Sequence, residues 1–198
     1  MTINELYRVL NVEARIYSSR QGFVQGIKNR LVTNPINTQH HIYSYIRNMR
    51  FAEYHQSHSL LNKKEGINAI YHTAILLYYY WILRRVSYKT GIQIPPFTCK
   101  EGLQIWHYGY IIFNENVRCG KYLTVYPGVE IGHKNIGEGC PVIGDNVFIG
   151  AGVKIFGNIR IGNNVTIAAN SVVLHDIPDN SIVGGIPAKI IKVNKQKR

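Results

Sequence analysis

Acidic residues are scarce in this chain of 198 residues: 11 Asp and Glu stand against 23 Lys and Arg, a formal net charge of +12. Such a surface attracts phosphates, acidic polymers and anionic lipid headgroups, and charge alone does not choose among them. The excess is uneven. Residues 1–90 hold 12 Lys and Arg against 4 Asp and Glu, a net +8, and residues 91–198 a net +4. Cysteine is scarce too. Cys99, Cys119 and Cys140 form no C-x-x-C pair, which argues against a disulfide framework and against zinc ligation at this spacing. An odd count without a signal peptide leads us to expect reduced thiols and a cytoplasmic protein. No long apolar run is present. The nearest, Ile67 to Leu83, is 17 residues and is interrupted by Asn68, His72 and Thr73, so it sits at the short limit for a membrane span. The aromatic signatures of RNA-binding modules are missing, and no nucleic-acid partner is expected.

What the chain does have is a repeat of six. Hexads begin at Ile143, Ile149, Ile155, Ile161, Ile167 and Val173. Most are followed by Gly or Ala, and four positions on come Val147, Val153, Ile159, Val165, Ser171 and Ile177. The register continues backwards through Ile131, Val125, Cys119, Phe113 and His107, and blurs at Gly137. Repeats of six predict short strands joined by tight turns and stacked as a parallel β-helix. Cys119 then reads as a small core residue. His107 is the polar residue at a position otherwise aliphatic, and an imidazole expected to face inward there marks a candidate for chemistry.

The first 90 residues read as helical. Thr2 and Glu5 fit a capping box ahead of Leu6, Val9 and Leu10. Asn34-Pro35 marks a break. A second helix is predicted from about His41 to Tyr54, and a third from about Gly66 to Tyr88. The third carries Tyr71, Tyr78, Tyr79, Tyr80 and Trp81 before Arg84-Arg85. That pattern suits either burial against other subunits or an interfacial helix at the membrane. The expected organisation is a helical N-terminal domain at 1–90 for oligomerisation or docking. A β-helix domain follows at 91–183. The tail, 184–198, is basic, with Lys189, Lys192, Lys195, Lys197 and Arg198.

Residues 92–192 carry more than the repeat. Gly102-Leu103-Gln104-Ile105-Trp106-His107, Ile111-Ile112 and Glu115 are followed by VIGDNVFIGAGVKIFGNI at 142–159 and AANSVVLHDIPDNSIVGGIPAKII at 168–191. This half resembles the left-handed β-helix acyltransferases, most closely the serine acetyltransferase branch. The N-terminal half is broadly similar to the helical N-termini of bacterial polysaccharide O-acetyltransferases. The resemblance implies a mainly β fold, a left-handed parallel β-helix with an α-helical N-terminal domain. It also implies a homotrimer that binds acetyl-CoA in grooves between neighbouring prisms, with a general base at His107. Pairing into a dimer of trimers stays open. By motif position, Ala151, Ala169, His175 and Lys192 would bind CoA. Near pH 7 an imidazole can take a proton from a hydroxyl as its oxygen attacks a thioester.

Several positions depart from the serine acetyltransferase pattern. The aspartate that pairs with the base there is replaced by Gln93, or by Ile92 in a gap-free alignment. Gln93 would orient an imidazole without stabilising imidazolium as a carboxylate does, and Glu115 is the other candidate for that role. Trp106 replaces an acidic residue, and Gly139-Cys140-Pro141 falls where the branch has Arg-His-Pro. Trp106 and Cys140 are therefore expected at the acceptor, and His133 and Lys134, in the loop that breaks the register near the acceptor end, are expected to contact an acidic acceptor or CoA. A flat aromatic beside the base suits a pyranose face. The expected reaction is acetyl transfer to a sugar hydroxyl of a bacterial surface polysaccharide or its precursor. The alternative is the serine O-acetyltransferase of cysteine biosynthesis. A zinc enzyme on this fold needs three histidines and an H-x-x-x-x-H pair, which His107 and His133 do not supply, so no metal is expected. Contact with the inner face of the membrane is left open by the +8 half.

Overall fold

The computed structural model describes residues 1–18 and 39–193. The chain divides into two compact units, Met1–Thr90 and Gly91–Arg198. Asn34-Pro35 and the last three basic residues of the tail lie outside the described residues.

The first unit holds α1 (Ile3–Ser18), α2 (Gln39–His58), a short 3-10 turn (Leu60–Asn62) and α3 (Ile67–Thr90). The capping box forms. The Thr2 backbone N–H donates to Glu5 Oε2 at 2.6 Å, and the Glu5 N–H donates to Thr2 Oγ1 at 3.2 Å. These reciprocal bonds satisfy helix-end donors that would otherwise lack partners. α2 packs against both α1 and α3. Leu6 and Val9 meet this core along with Ile42, Ile46 and Met49, all buried. Arg50 is buried among them. It bonds Glu13 at 2.7 Å and Glu53 at 3.0 Å. Removing one partner of such a buried pair costs about 3–5 kcal/mol, because the other charge is left uncompensated.

α3 buries Ala69, Leu76, Leu83 and Thr90, spaced by seven, so a single narrow stripe faces inward. Beside it Ile75, Tyr79, Tyr80, Ile82 and Val86 are half-buried, while Ile70, Leu77, Trp81 and Tyr88 are exposed. Arg85 lies over the Trp81 ring at 4.3 Å. Among the described residues no helix is long and apolar enough to cross a membrane.

In the second unit every strand but one pairs in parallel. The five-stranded sheet is β1 (Ile92–Gln93), β3 (Ile111–Phe113), β6 (Glu130–Gly132), β9 (Lys154–Phe156) and β12 (Val172–Val173). The three-stranded sheet is β4 (Arg118–Cys119), β7 (Val142–Ile143) and β10 (Arg160–Ile161). The six-stranded sheet holds β2 (Gln104–Ile105), β5 (Thr124–Val125), β8 (Phe148–Ile149), β11 (Thr166–Ile167), β13 (Ser181–Gly185) and β14 (Ala188–Val193). Successive strands pass from sheet to sheet, so each circuit is one coil of a left-handed parallel β-helix.

Each hexad buries two side chains, the strand aliphatic and the residue two positions before it. Ile105, Val125, Ile149, Ile167 and Val183 stack in one column, with Leu103, Leu123, Val147, Val165 and Ser181 beside them, all buried. Cys119 is buried at the equivalent place in the three-stranded sheet, its backbone paired in parallel with that of Cys99 and both thiols free. The turns are as regular as the strands. Asn146, Asn164 and Asn180 all have positive φ, which asparagine tolerates well. Their side chains form a ladder, Asn146 to Asn164 at 3.2 Å and Asn164 to Asn180 at 3.0 Å. Coils stack so closely that a Cβ on Gly144 would lie 2.7 Å from the Gly162 carbonyl oxygen.

Two insertions interrupt this regularity. Between Ile149 and Ile167 one coil takes 18 residues, but between Ile105 and Val125 it takes 20 and between Val125 and Ile149 it takes 24. The first excess is the segment 106–110, two residues longer than the turns at 126–128 and 150–152. The second is 132–140, which contains Gly137. The first corrects an expectation. His107 does not face inward; it is exposed. Counting back by six from Phe113 crosses the two-residue excess and lands on a bulge, whereas the buried residue is Ile105. At the far end, residues expected as a basic tail include a strand. β14 pairs antiparallel with β13, and Lys192 lies opposite Ile182.

Between α2 and α3, His55 and His72 share a hydrogen bond of 2.9 Å between their Nδ1 atoms. Burial, then the charges of His72 and His58, push His55 down from 6.5 to about 4. His72 is lowered by burial and by His58. In the unfolded chain such a histidine binds a proton below about pH 6.5 while the folded one does not. Its neutral pairing is therefore tolerated in full above that value and opposes folding increasingly as pH falls towards 4. Chemical unfolding at about pH 7.5 and about pH 5 should give a lower midpoint at the acid value. The difference should shrink in His55→Asn, and an unchanged difference would contradict this assignment.

Candidate active site

The two-residue excess lifts His107 out of the stack and onto an aromatic platform. Trp106 and His107 follow β2 directly, and both rings meet Tyr126, the residue after β5 in the coil below. The Trp106 and Tyr126 rings are stacked, 6.0 Å between centroids and 20° between planes, while His107 is tilted on Tyr126 at 6.4 Å. Tyr126 in turn rests on Phe148 at 5.5 Å. Gly109 turns the bulge at φ +146, with Pro127 Cβ 3.2 Å from where a Cβ of its own would lie.

The bulge is fastened at its exit. The Gly128 N–H donates to the Tyr110 carbonyl at 2.6 Å, and the Ile111 N–H to the Gly91 carbonyl at 3.1 Å. Lys154 Nζ donates to the Gly128 carbonyl at 3.1 Å and to Glu130 Oε2 at 3.0 Å, and lies 5.1 Å from the centre of the Tyr110 ring. Tyr126 and Lys154 escaped the sequence reading. The signal that finds Tyr126 is the pairing of Ile105 with Val125, which sets the residues after each side by side.

No hydrogen bond joins His107 to either expected orienting residue. Gln93 is exposed on β1, paired with Ile112 on the five-stranded sheet. Glu115 is exposed in the turn after β3, where its backbone carbonyl accepts Arg118 Nη1 at 2.7 Å. The other expected site residues divide between two edges of the prism. Trp106, His107, Ala151 and Ala169 sit on turns that follow the six-stranded sheet, with Ala151 and Ala169 exposed on successive coils. His133, Lys134, Cys140 and His175 sit on turns that follow the five-stranded sheet. Lys192 is exposed on β14. One chain thus places His107 and the small-residue steps on one edge, but not the residues of the 132–140 insertion. Among the described residues no group of three or more His, Cys, Asp and Glu is placed to hold a metal ion.

The insertion carries its own network. Cys140 is buried and donates its thiol to Asn114 Oδ1 at 3.4 Å. Asn114 Nδ2 meets His133 Nδ1 at 3.2 Å. Burial raises the Cys140 thiol above its ordinary value, against the lowering effect of Arg118 and of the His133 backbone N–H. Cys140 is therefore a neutral donor and not a thiolate nucleophile.

Residues 140–175 match the family model for bacterial transferase hexapeptide, six repeats. The serine acetyltransferase of Staphylococcus aureus strain Mu50 is 45% identical over 107 residues, 52% of this chain and 50% of that protein. The serine acetyltransferase of Synechococcus elongatus is 41% identical over 105 residues, 52% and 43% of the two chains. The crystal structure of Neisseria gonorrhoeae serine acetyltransferase in complex with serine is 26% identical and covers 96% of this chain and 70% of its own, with a TM-score of 0.66. The chain spans about half the length of the curated relatives it matches. Strand order and these matches together make the second unit a left-handed β-helix of hexapeptide repeats, similar to those of bacterial transferases. They overturn the expected polysaccharide acceptor: these relatives, at up to 45% identity, are serine acetyltransferases.

The thiols give a test that needs no substrate. Cys99, Cys119 and Cys140 are all buried. Cys119 is also held above its ordinary value by its hydrogen bond to Cys99 and by burial. Brief alkylation of the native protein, read by intact mass, should label none of the three, and labelling should appear only on unfolding. Rapid modification of Cys140 in the folded protein would contradict its assignment as a buried neutral donor.

Proposed function

We propose that the chain is an O-acetyltransferase that carries the acetyl group of acetyl-CoA to the hydroxyl of L-serine, with His107 as general base. The observation that carries this reading is the two-residue excess that puts an imidazole on an exposed aromatic platform. The relatives supply the acceptor: the matching proteins are named for serine acetylation.

The chemistry follows from an imidazole free to meet substrate. A neutral His107 nitrogen takes the proton of the serine hydroxyl while that oxygen bonds to the thioester carbonyl carbon. The tetrahedral oxyanion then re-forms its carbonyl and expels the CoA sulfur, which recovers the proton from the imidazolium. O-acetylserine and free CoA result, with atoms and charge balanced. Holding hydroxyl, base and thioester in one place supplies much of the rate. Ala151 and Ala169 leave the edge near the bulge open to the pantetheine arm. Lys192 and His175 are the candidate contacts for the CoA phosphates.

Because the expected residues occupy two separate edges, a complete site needs a second copy alongside the first. A homotrimer of prisms provides three such junctions. The helical unit is proposed to extend the assembly through the exposed stripe of α3, where Leu77 is 62% and Trp81 53% exposed. Leu77→Lys combined with Trp81→Lys should lower the molecular mass seen by sedimentation, because charge then enters an apolar contact. An unchanged mass would remove α3 from the interface.

The reading is tested by following thioester loss from acetyl-CoA with L-serine present. His107→Ala should lower turnover about a hundredfold or more, the usual worth of a general base, with fold and CoA binding kept. Near-native turnover in the folded variant would remove His107 from the chemistry.

A further inference from the structure

The 132–140 insertion departs furthest from the repeat, and the hydrogen bonds running through it fix a tautomer. The Asn116 backbone N–H donates to Asn114 Oδ1 at 2.9 Å. A backbone N–H can only donate, so this contact identifies the oxygen end of the Asn114 amide without ambiguity. The Cys140 thiol donates to the same oxygen. The other end of the amide is therefore the NH2, and it lies 3.2 Å from His133 Nδ1. An amide NH2 offers no lone pair, so Nδ1 must accept. A neutral imidazole that accepts at Nδ1 carries its proton on Nε2.

His133 is half-buried, and among the described residues no protein group accepts from its Nε2–H. Lys134 and Arg118 are the basic residues of this region, and Glu138, which accepts from Asn135 Nδ2 at 2.7 Å, is the acidic residue of the insertion. Lys134 is the next residue and is exposed. Arg118, whose charge reaches Cys140, is anchored through Nη1 alone to the carbonyls of Glu115 at 2.7 Å and Val117 at 2.8 Å. A fixed donor with cations beside it suits an anionic oxygen better than a neutral one.

We propose that His133 Nε2–H is a preset donor to an anionic oxygen of a substrate, a carboxylate or a phosphate, and that Asn114 sets it. This rests on the O-acetyltransferase reading, which brings two such groups: the carboxylate of serine and the phosphates of CoA. Cys140, expected at the acceptor, then serves indirectly by holding Asn114 from inside.

Nitrogen-15 NMR of the imidazole side chains should find His133 as the Nε2–H tautomer, and adding acetate or inorganic phosphate should shift that resonance. In steady-state kinetics His133→Ala should raise one KM about tenfold or more, as expected for a lost hydrogen bond to a charged group, with kcat much less affected. A rise in the KM for L-serine assigns the carboxylate, and a rise in the KM for acetyl-CoA assigns the phosphate. His133→Gln, which keeps an N–H donor, should recover most of the loss. A His133 found as the Nδ1–H tautomer, or a folded His133→Ala with neither KM changed, would overturn the proposal. If the wild-type protein transfers nothing to L-serine, the serine reading fails separately. The NMR titration then decides alone: a shift with either anion supports the donor, and no shift with both overturns it.

Discussion

Registered stacking of aliphatic side chains inside the prism is the constraint on which the second unit depends. Strands β1 to β12 are each two or three residues long, too short to stand alone. Order comes from columns such as Ile105, Val125, Ile149, Ile167 and Val183, every member fully buried. Burying a side chain of this size contributes about 1.5–3 kcal/mol, and the columns repeat on three faces. The turns are constrained in their own way. Asn ladders hold one corner, and at Gly144 a side chain would run into the Gly162 carbonyl of the next coil. A fold that rigid has little freedom except in the length of its turns.

Function is proposed to reside where that freedom is used. Five residues at 106–110 do the work of three and place His107 outside, over Tyr126. Nine residues at 132–140 carry His133 and fasten themselves to Asn114 through Cys140. Each segment rests on a regular turn of the next coil, 126–128 under the first and 156–158 under the second, so the exposed groups sit on a stiff frame. This is what a transfer reaction between two bound molecules needs, since misplacement of the reacting groups by an ångström is costly. The edges differ, and a second copy is proposed to bring them together.

Much of this was legible in the sequence. The capping box at Thr2 and Glu5 needed only spacing. The columns needed only the hexads, and the burial of Cys119 followed from its place in them. What misled was counting through an irregularity. Stepping back by six from Phe113 reaches His107 and suggests an inward imidazole, because nothing in the letters marks an extra pair of residues. Tyr126 was invisible for a related reason, as its meeting with His107 depends on which coils lie adjacent. The polysaccharide acceptor was inferred from what stands at Trp106, Gly139 and Cys140, without knowing what else could take over a lost contact. Trp106 lies stacked on Tyr126, and Cys140 is buried as a donor. Neither position by itself identifies the acceptor, and the proposed one rests on the matching relatives, which are named serine acetyltransferases.

The claim that the two-residue excess makes the active site can be measured directly. Deleting Tyr108 and Gly109 restores the three-residue turn used by the coils below while leaving every column of the core intact. The account predicts a folded protein, by circular dichroism and cooperative unfolding, whose acetyl transfer from acetyl-CoA to L-serine has fallen about a hundredfold or more. A folded deletion variant with wild-type transfer would contradict it.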